Sequence, residues 1–382
     1  MSRHYLDYAS TAPLRPEARD AMIEMLQQGL VADPGRVHTE GRMSRAILEQ
    51  AREQVAGLLG CRPREVVLTS GATESINAAI TGAAARWADA TGQPATAAPV
   101  VAADVEHSAV SAASERHRRL RAAVDEHARI ETESVRAVLQ EVDDVALINV
   151  QMANHEVGTI QPVAEIAELA AQHGALVHVD AAQAVGSIDF AFADLGADLV
   201  SVSGHKFGGP PGTGALVIRR GLRVPPLMVG GEQERARRGG MENVVAMVGM
   251  GAAAEAAAAQ LTDFQRITSG LTERLLASAL EVPGVVAYGD PIRRLPHLVC
   301  VGVDGVEAEA VLLGLDQAGI AAHSGSACSS ESLEPSPVLL AMGVEAERSL
   351  RISVGWNSTS ADAEAFAAAF PMVISRLRGL RS

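Results

Sequence analysis

The chain has 382 residues, a formal net charge of −14 and 48% hydrophobic residues. That length predicts roughly two domains, that apolar content excludes a disordered chain, and the acidic balance excludes a general nucleic-acid or membrane-surface binder. Aromatic residues make up only 3%, so the core must be built from Ala, Val, Leu and Ile.

The opening residues, Met1-Ser2-Arg3-His4-Tyr5-Leu6-Asp7, carry no apolar signal region. Ser10-Thr11-Ala12-Pro13 reads as a turn, and Asp33-Pro34-Gly35-Arg36 as a loop. From Arg45 to Leu59 the apolar residues Ile47, Leu48, Ala51, Val55 and Leu58 recur at helical spacing, and Gly60 ends the helix. Short apolar strands then alternate with helices. Strands are predicted at 66–69, 100–102, 145–150, 176–179, 199–203 and 214–218, with helices at 74–87, after Ser108, and from Pro162 to Gly174. This alternation predicts a mainly parallel sheet with helices on both faces, and a ligand at the carboxyl ends of its strands. Residues 223–243 form a long Gly-, Pro- and Arg-rich loop. A long helix follows, roughly 244–276. After it come strands at 298–303, 320–323 and 350–354 and helices at 307–318, 337–342 and 361–378. Residues 16–250 are expected to form a large domain, and 1–15 with 251–382 a smaller one.

Three cysteines, Cys61, Cys300 and Cys328, are widely spaced with no C-x-x-C. This argues against a disulfide framework or a metal site. No uninterrupted apolar run reaches the roughly 18 residues of a membrane span, so a cytoplasmic chain with no membrane contact is expected. The arginine clusters at 116–121 and 235–238 read as solvated faces.

Chemistry concentrates at strand ends. Lys206 is the only lysine among 32 basic residues. Arginine replaces lysine as a charge but not as a nucleophilic amine. The lysine lies in Ser203-Gly204-His205-Lys206, where a strand enters a glycine-rich turn. Thr69-Ser70-Gly71-Ala72-Thr73-Glu74 joins a strand to a helix start, which suits a phosphate group or serves as an ordinary helix cap. Asp180 ends a buried strand and needs a partner there; the N–H of a pyridinium ring would serve, with Gln183 in reach of a ring hydroxyl. Asp180 and Lys206 are 26 residues apart, the length of one helix-and-strand crossover, on strands expected to be neighbours. Cys328 sits among Gly325, Ser326, Ser329 and Ser330, a loop setting open to a reactive thiolate. Cys61 and Cys300 read as structural thiols.

These motifs in this order, with Ser324-Gly325-Ser326-Ala327-Cys328-Ser329-Ser330 and Leu333-Glu334-Pro335-Ser336, make the chain similar to the cysteine desulfurases of the NifS/IscS type. These are pyridoxal-phosphate enzymes of the class V aminotransferase group, and the resemblance runs from Tyr5 to Ser353. It implies the α/β fold type I architecture: a mostly parallel seven-stranded sheet flanked by helices, with a smaller α+β domain, assembled as a homodimer. It implies pyridoxal 5'-phosphate held by Lys206 as a Schiff base. Thr73, Ser203, His205 and the Ala72 backbone would bind the phosphate, Asp180 the ring nitrogen and Gln183 the ring oxygen. His107 would stack on the ring and help move protons. Arg351, Asn154 and His155 would bind the substrate. Cys328 would take sulfur from L-cysteine, release L-alanine and pass the sulfur to an acceptor protein. That acceptor would serve iron–sulfur scaffolds, tRNA thiolation or DNA phosphorothioation; no metal and no direct nucleic-acid contact are implied.

Two positions depart from the family pattern. Asn-Asn-Glu-Val-Gly appears as Asn154-His155-Glu156-Val157-Gly158, and a usual threonine is Met241. The first alters substrate binding and its pH dependence; the second removes a hydroxyl from the partner subunit's phosphate site. The rival readings are a selenocysteine lyase or class V aminotransferase without sulfur transfer, and a weakly active protein that docks sulfur acceptors. A dinucleotide-binding oxidoreductase is disfavoured because no G-x-G-x-x-G follows the first strand.

Overall fold

In a computed structural model of the chain, residues 3–29, 32–324 and 335–380 are described. Cys328 and its flanking serines therefore lie outside the described residues.

The amino-terminal part runs β1 (His4–Tyr5), α1 (Pro16–Gln28), α2 (Thr39–Leu59), β2 (Val66–Thr69), α3 (Ala72–Thr91), β3 (Pro99–Ala103), α4 (Ser108–Ser114) and β4 (Arg118–Ala122). It continues through α5 (Thr132–Glu141), β5 (Leu147–Gln151), α6 (Val163–His173), β6 (Leu176–Asp180), β7 (Leu199–Ser203) and β8 (Gly214–Ile218). Seven of these strands form one sheet in the order β2-β8-β7-β6-β5-β3-β4, and only β8 runs against the rest. β2 and β7 are both antiparallel to β8. Hence β2, β7, β6, β5 and β3 all end on the same edge of the sheet.

The two-residue period of a strand sends alternate side chains to opposite faces. On β3, Val101 and Ala103 join the core that contains Leu48, Ile166 and Met247. Val100 and Ala102 join Ile76, Ile80 and Val110 on the other face. With helices on both faces the strands are fully buried, which explains their unbroken apolar runs. The arginine-rich strand, β4, is an edge: Arg118 and Arg121 are exposed. Its arginine-rich sequence hid it from the apolar pattern, and charge is how an edge strand resists further pairing. The connection from β6 to β7 holds no α-helix, only turns and a short 3-10 segment at Phe192–Asp194; β6 and β7 nonetheless pair directly.

The 223–243 loop contains a four-residue turn, α7 (Gln233–Ala236), in which Glu234, Arg235 and Ala236 have φ of 47°, 60° and 60°. Three successive non-glycine residues in left-handed geometry are costly. A buried ion pair offsets the cost. Arg52 of α2 grips the Glu234 carboxylate at 2.5 and 2.7 Å, and the Leu68 backbone N–H donates to the same carboxylate at 2.8 Å.

The remaining elements are α8 (Val244–Leu280), β9 (Val285–Tyr288), β10 (Leu298–Val303), α9 (Ala308–Gln317), β11 (Ile320–Ala321), α10 (Pro337–Ala341), β12 (Ser349–Ser353) and α11 (Ser360–Gly379). β12, β10 and β9 form an antiparallel sheet, and β1 pairs with β11. Its core is Leu271, Leu275, Val311, Leu315 and the stacked pair Phe366–Phe370. The 37 residues of α8 span about 55 Å at 1.5 Å per residue. Its first half contributes Met247 and Met250 to the large core and its second half Leu271 and Leu275 to the small one. By length and mean hydropathy, 1.5 over its most apolar 18 residues, α8 is long enough to cross a membrane. In the sequence Glu255 interrupts its alanine-rich stretch, so no unbroken apolar run of that length appears. Half of that window is buried inside the fold, where small residues let α8 lie close against its neighbours.

Candidate active site

The shared strand edge opens into a cavity of about 410 Å³. It receives one contribution from each strand end. After β2 the chain turns through Ser70 and Gly71 into α3, whose first residues are Ala72 and Thr73. Gly71 has φ +156°, a backbone state that side-chain-bearing residues avoid. It also lies under Gly214 of β8, where an added Cβ would meet the Gly71 Cα at 2.6 Å. The strand-to-helix turn is thus pressed against the sheet, with the free N–H groups and positive end of a 20-residue helix facing the cavity.

β7 delivers Ser203, His205 and Lys206, and β6 delivers Asp180. The Lys206 Nζ donates to the carbonyls of Ala9 (2.6 Å) and Ser10 (3.1 Å). The Asp180 Oδ1 accepts the Ala182 N–H at 3.0 Å, which fixes the carboxylate at the cavity wall. Gln183 lines the same wall and donates from Nε2 to Ala9 O at 2.9 Å. Burial, followed by the charge of Lys206, pushes the His205 imidazole down to about 4. It is therefore neutral at pH 7 and shares a hydrogen bond with Thr11 Oγ1 at 3.2 Å.

From β3 the chain passes to His107, which caps α4. Its Nδ1 accepts the Ala109 N–H at 3.1 Å, so in the neutral ring Nε2 carries the proton. His155 faces it edge-on, with ring centroids 5.4 Å apart, and both rings line the cavity. The residues behind them are knitted tightly. Glu106 accepts the Gln151 N–H at 3.0 Å, and Gln151 and Asn154 both donate to Val105 O. Burial pushes the Glu106 carboxyl up to about 8, and the nearby Asp180 charge adds to it. Glu106 is therefore protonated at neutral pH.

Ala72, Thr73, His107, His155, Asp180, Gln183, Ser203, His205 and Lys206 all meet in this cavity. Asn154 stands behind it: its amide oxygen accepts the Glu156 and Val157 N–H groups, and its amide nitrogen is given to Val105. Arg351 is also outside the lining. Its guanidinium is 3% exposed and is held by Asp7 (3.0 Å), Ser10 Oγ (2.7 Å) and His155 O (2.9 Å). Arg351 and His155 are thereby joined through one hydrogen bond. Met241 is exposed on the surface.

Sequence reasoning missed Glu74. It lines the cavity at the first turn of α3, accepts the Ser70 N–H at 2.8 Å and pairs with Arg238 Nε at 2.9 Å. Burial opposes its ionisation, but the hydrogen bonds from Arg238 and Ser70 win and hold the carboxyl below its ordinary value. Arg238 arrives from the 223–243 loop anchored by Glu234. A lone glutamate in a helix start gives no sign of such a partner 164 residues away.

The chain is similar to known proteins along nearly its whole length. The aminotransferase class-V family model matches residues 4–366. An IscS-like cysteine desulfurase of Mycobacterium tuberculosis is 40% identical over 386 residues, covering 98% of this chain and 97% of that protein. Among solved structures, a NifS-like protein superposes with a TM-score of 0.90 at 29% identity, over 98% of this chain and 100% of that one. A structure of SspA in complex with cysteine gives a TM-score of 0.77 at 28% identity, over 92% of this chain and 99% of that one. With one model matching nearly its whole length and a relative this similar end to end, the chain belongs to the class-V aminotransferase family.

Proposed function

We propose that this chain is a pyridoxal-phosphate-dependent cysteine desulfurase. The observation that carries the reading is the convergence of the only lysine, Asp180, His107 and the Gly71–Thr73 turn on one cavity. The chain resembles proteins named cysteine desulfurase along its whole length.

The residues fit the group. The start of α3, with Thr73, Ser203 and neutral His205, offers N–H and hydroxyl donors to a phosphate dianion. Glu74, the nearby acidic residue, is neutralised by Arg238. The Asp180 carboxyl group faces the cavity and suits a protonated ring nitrogen. His107 presents its ring to the same space. When bound, the cofactor supplies an electron sink for the pair left at the substrate Cα.

This chain's own residues do the rest. Lys206 would hold the group through Nζ, and the same amine would take the substrate Cα proton. Asp180 keeps the ring nitrogen protonated. His107, oriented by the Ala109 N–H, holds the ring face and offers Nε2–H to the cavity. Arg351 sits next to the substrate region, pinned by Asp7 and Ser10 and bonded to the His155 carbonyl. Cys328 attacks the substrate sulfur as a thiolate. The Cβ–S bond breaks and a Cys328 Sγ–S bond forms. The carbon keeps the bonding pair, takes a proton, and leaves as the methyl group of L-alanine. The persulfide then meets a sulfur acceptor protein.

A homodimer completes the proposal. Leu227, Met228, Val229 and Met241 are exposed apolar residues on the 223–243 loop, an area suited to a second copy. The test is alanine and sulfide release from L-cysteine by the cofactor-loaded protein, beside Cys328→Ser. A desulfurase loses persulfide formation in the variant. An aminotransferase keeps its activity, and that outcome refutes the assignment.

A further inference from the structure

Lys206 and Gln183, which line the main cavity, also line a separate chamber of about 20 Å³. That is room for about one water. It is lined by His297, Lys206, Gln183, Tyr8, Arg15 and Ser187, with Phe264 and Trp356 as its apolar walls.

Most of its polar side chains are already committed. Gln183 Nε2 is given to Ala9 O, and Arg15 donates to Phe207 O and Gln260 Oε1. Tyr8 bonds Asn357, and Ser187 Oγ donates to the carbonyls of its own turn. His297 differs. It is 6% exposed, its ring leans on Phe264 at 5.9 Å, and its Nδ1 is buried with no hydrogen-bond partner. A buried ring nitrogen left unmatched is costly, and an ordered water is the ordinary remedy. Burial, then the charges of Lys206 and Arg351, hold this imidazole down to about 3. It is a neutral ring, so it adds no charge near the lysine.

We propose that the chamber is a one-water site, its water held by His297 Nδ1 and hydrogen-bonded to Lys206, which makes His297 a positioning residue for the lysine. Two carbonyls, of Ala9 and Ser10, hold the Lys206 amine from the amino-terminal segment. The water braces it from the β10 side, where His297 precedes Leu298. A second cavity of about 180 Å³ shares the wall residues Phe264, Gly355 and Trp356 with the chamber. The inference rests on the reading of Lys206 as the cofactor-bearing residue.

The test has two arms. The first is a high-resolution crystal structure of the full chain, with and without pyridoxal phosphate. An ordered water within hydrogen-bond distance of His297 Nδ1 is the expected result, and an empty or apolar-filled chamber overturns the proposal. The second is the rate at which added pyridoxal phosphate develops its visible lysine-bound band. His297→Phe keeps the ring volume and removes both nitrogens; it is expected to slow the band at least fivefold with an unchanged absorbance maximum. His297→Gln, which retains a hydrogen-bonding end, is expected to recover most of the rate. Wild-type rates in a folded His297→Phe protein overturn the proposal. Should His297→Phe fail to fold, His297→Gln and the crystal structure decide. Should the wild type itself form no band, the cofactor reading fails, and the water arm still judges the chamber.

Discussion

Replacing Glu234 by glutamine tests the anchor that delivers Arg238 to the cavity. Glu234 and Arg52 are 1% and 2% exposed at their side chains. Removing the carboxylate charge leaves the buried guanidinium with only the part-buried Glu49 carboxylate, 3.3 Å from its Nε, and the Val66 carbonyl; breaking a buried pair costs about 3–5 kcal/mol. Glutamine keeps one acceptor for Arg52 or Leu68 N–H, so the lower end, about 3 kcal/mol, applies. Spread over an unfolding entropy of about 2.1 cal/mol/K per residue, this lowers a single-step midpoint by about 4 °C. The local effect is larger. The left-handed residues 234–236 lose the bond that offsets their strain, so opening of the loop rises by on the order of a hundredfold. Trypsin cleavage after Arg235, Arg237 or Arg238 reports that opening when reclosing is fast. Because Arg238 neutralises Glu74 beside the phosphate turn, cofactor retention on dialysis should fall as well. The double variant Arg52→Met/Glu234→Met should regain part of the loss, the Leu68 N–H remaining unmatched. Cleavage and midpoint both unchanged in Glu234→Gln would refute the anchor.

Three further outcomes follow from the same geometry. His178, His205 and His297 are held at about 4, 4 and 3 by burial, below their unfolded value near 6.5. The unfolded chain therefore binds more protons as pH falls from about 6.5 to 4, and stability drops through that window by up to about 1.4 kcal/mol per pH unit for each group. Denaturant midpoints flat across that range would contradict this. Glu106 is shifted the other way, up to about 8: its contribution is complete below its unfolded value and is lost as pH rises to about 8. Glu106→Gln should thus gain in melting temperature relative to wild type as pH goes from 5 to 8, and an unchanging difference would count against a protonated Glu106. His155→Asn should change cysteine KM, because His155 lines the cavity, while leaving the visible cofactor spectrum unchanged, because it touches His107 only at a ring edge; an unchanged KM would remove His155 from substrate binding.

What the sequence disclosed was whatever depends on local pattern. Buried strands such as β7 show as short apolar runs, and strand-end residues such as Asp180 and Lys206 follow from where those runs stop. The turn at Gly71 was legible because a phosphate-suited helix start needs small residues in fixed order. β4 escaped because its arginines serve an open edge, and β9 because Val286 and Ala287 are exposed. The Arg52–Glu234 and Glu74–Arg238 pairs join residues 182 and 164 positions apart, and no spacing rule foretells them. Asn154 and Arg351 show the other limit. Their types suit substrate binding, but only the packed structure shows that the Asn154 amide is engaged by Val105 and Glu156 and that the Arg351 guanidinium, held by Asp7 and Ser10, keeps a buried Nε with no hydrogen-bond partner.

The most direct test of the central claim is the mass of the Cys328-containing peptide after one turnover of the cofactor-loaded protein with L-cysteine and no reductant. The account predicts one added sulfur atom on that peptide, matched by one L-alanine released per loaded chain. Alanine release with Cys328 unmodified would contradict it.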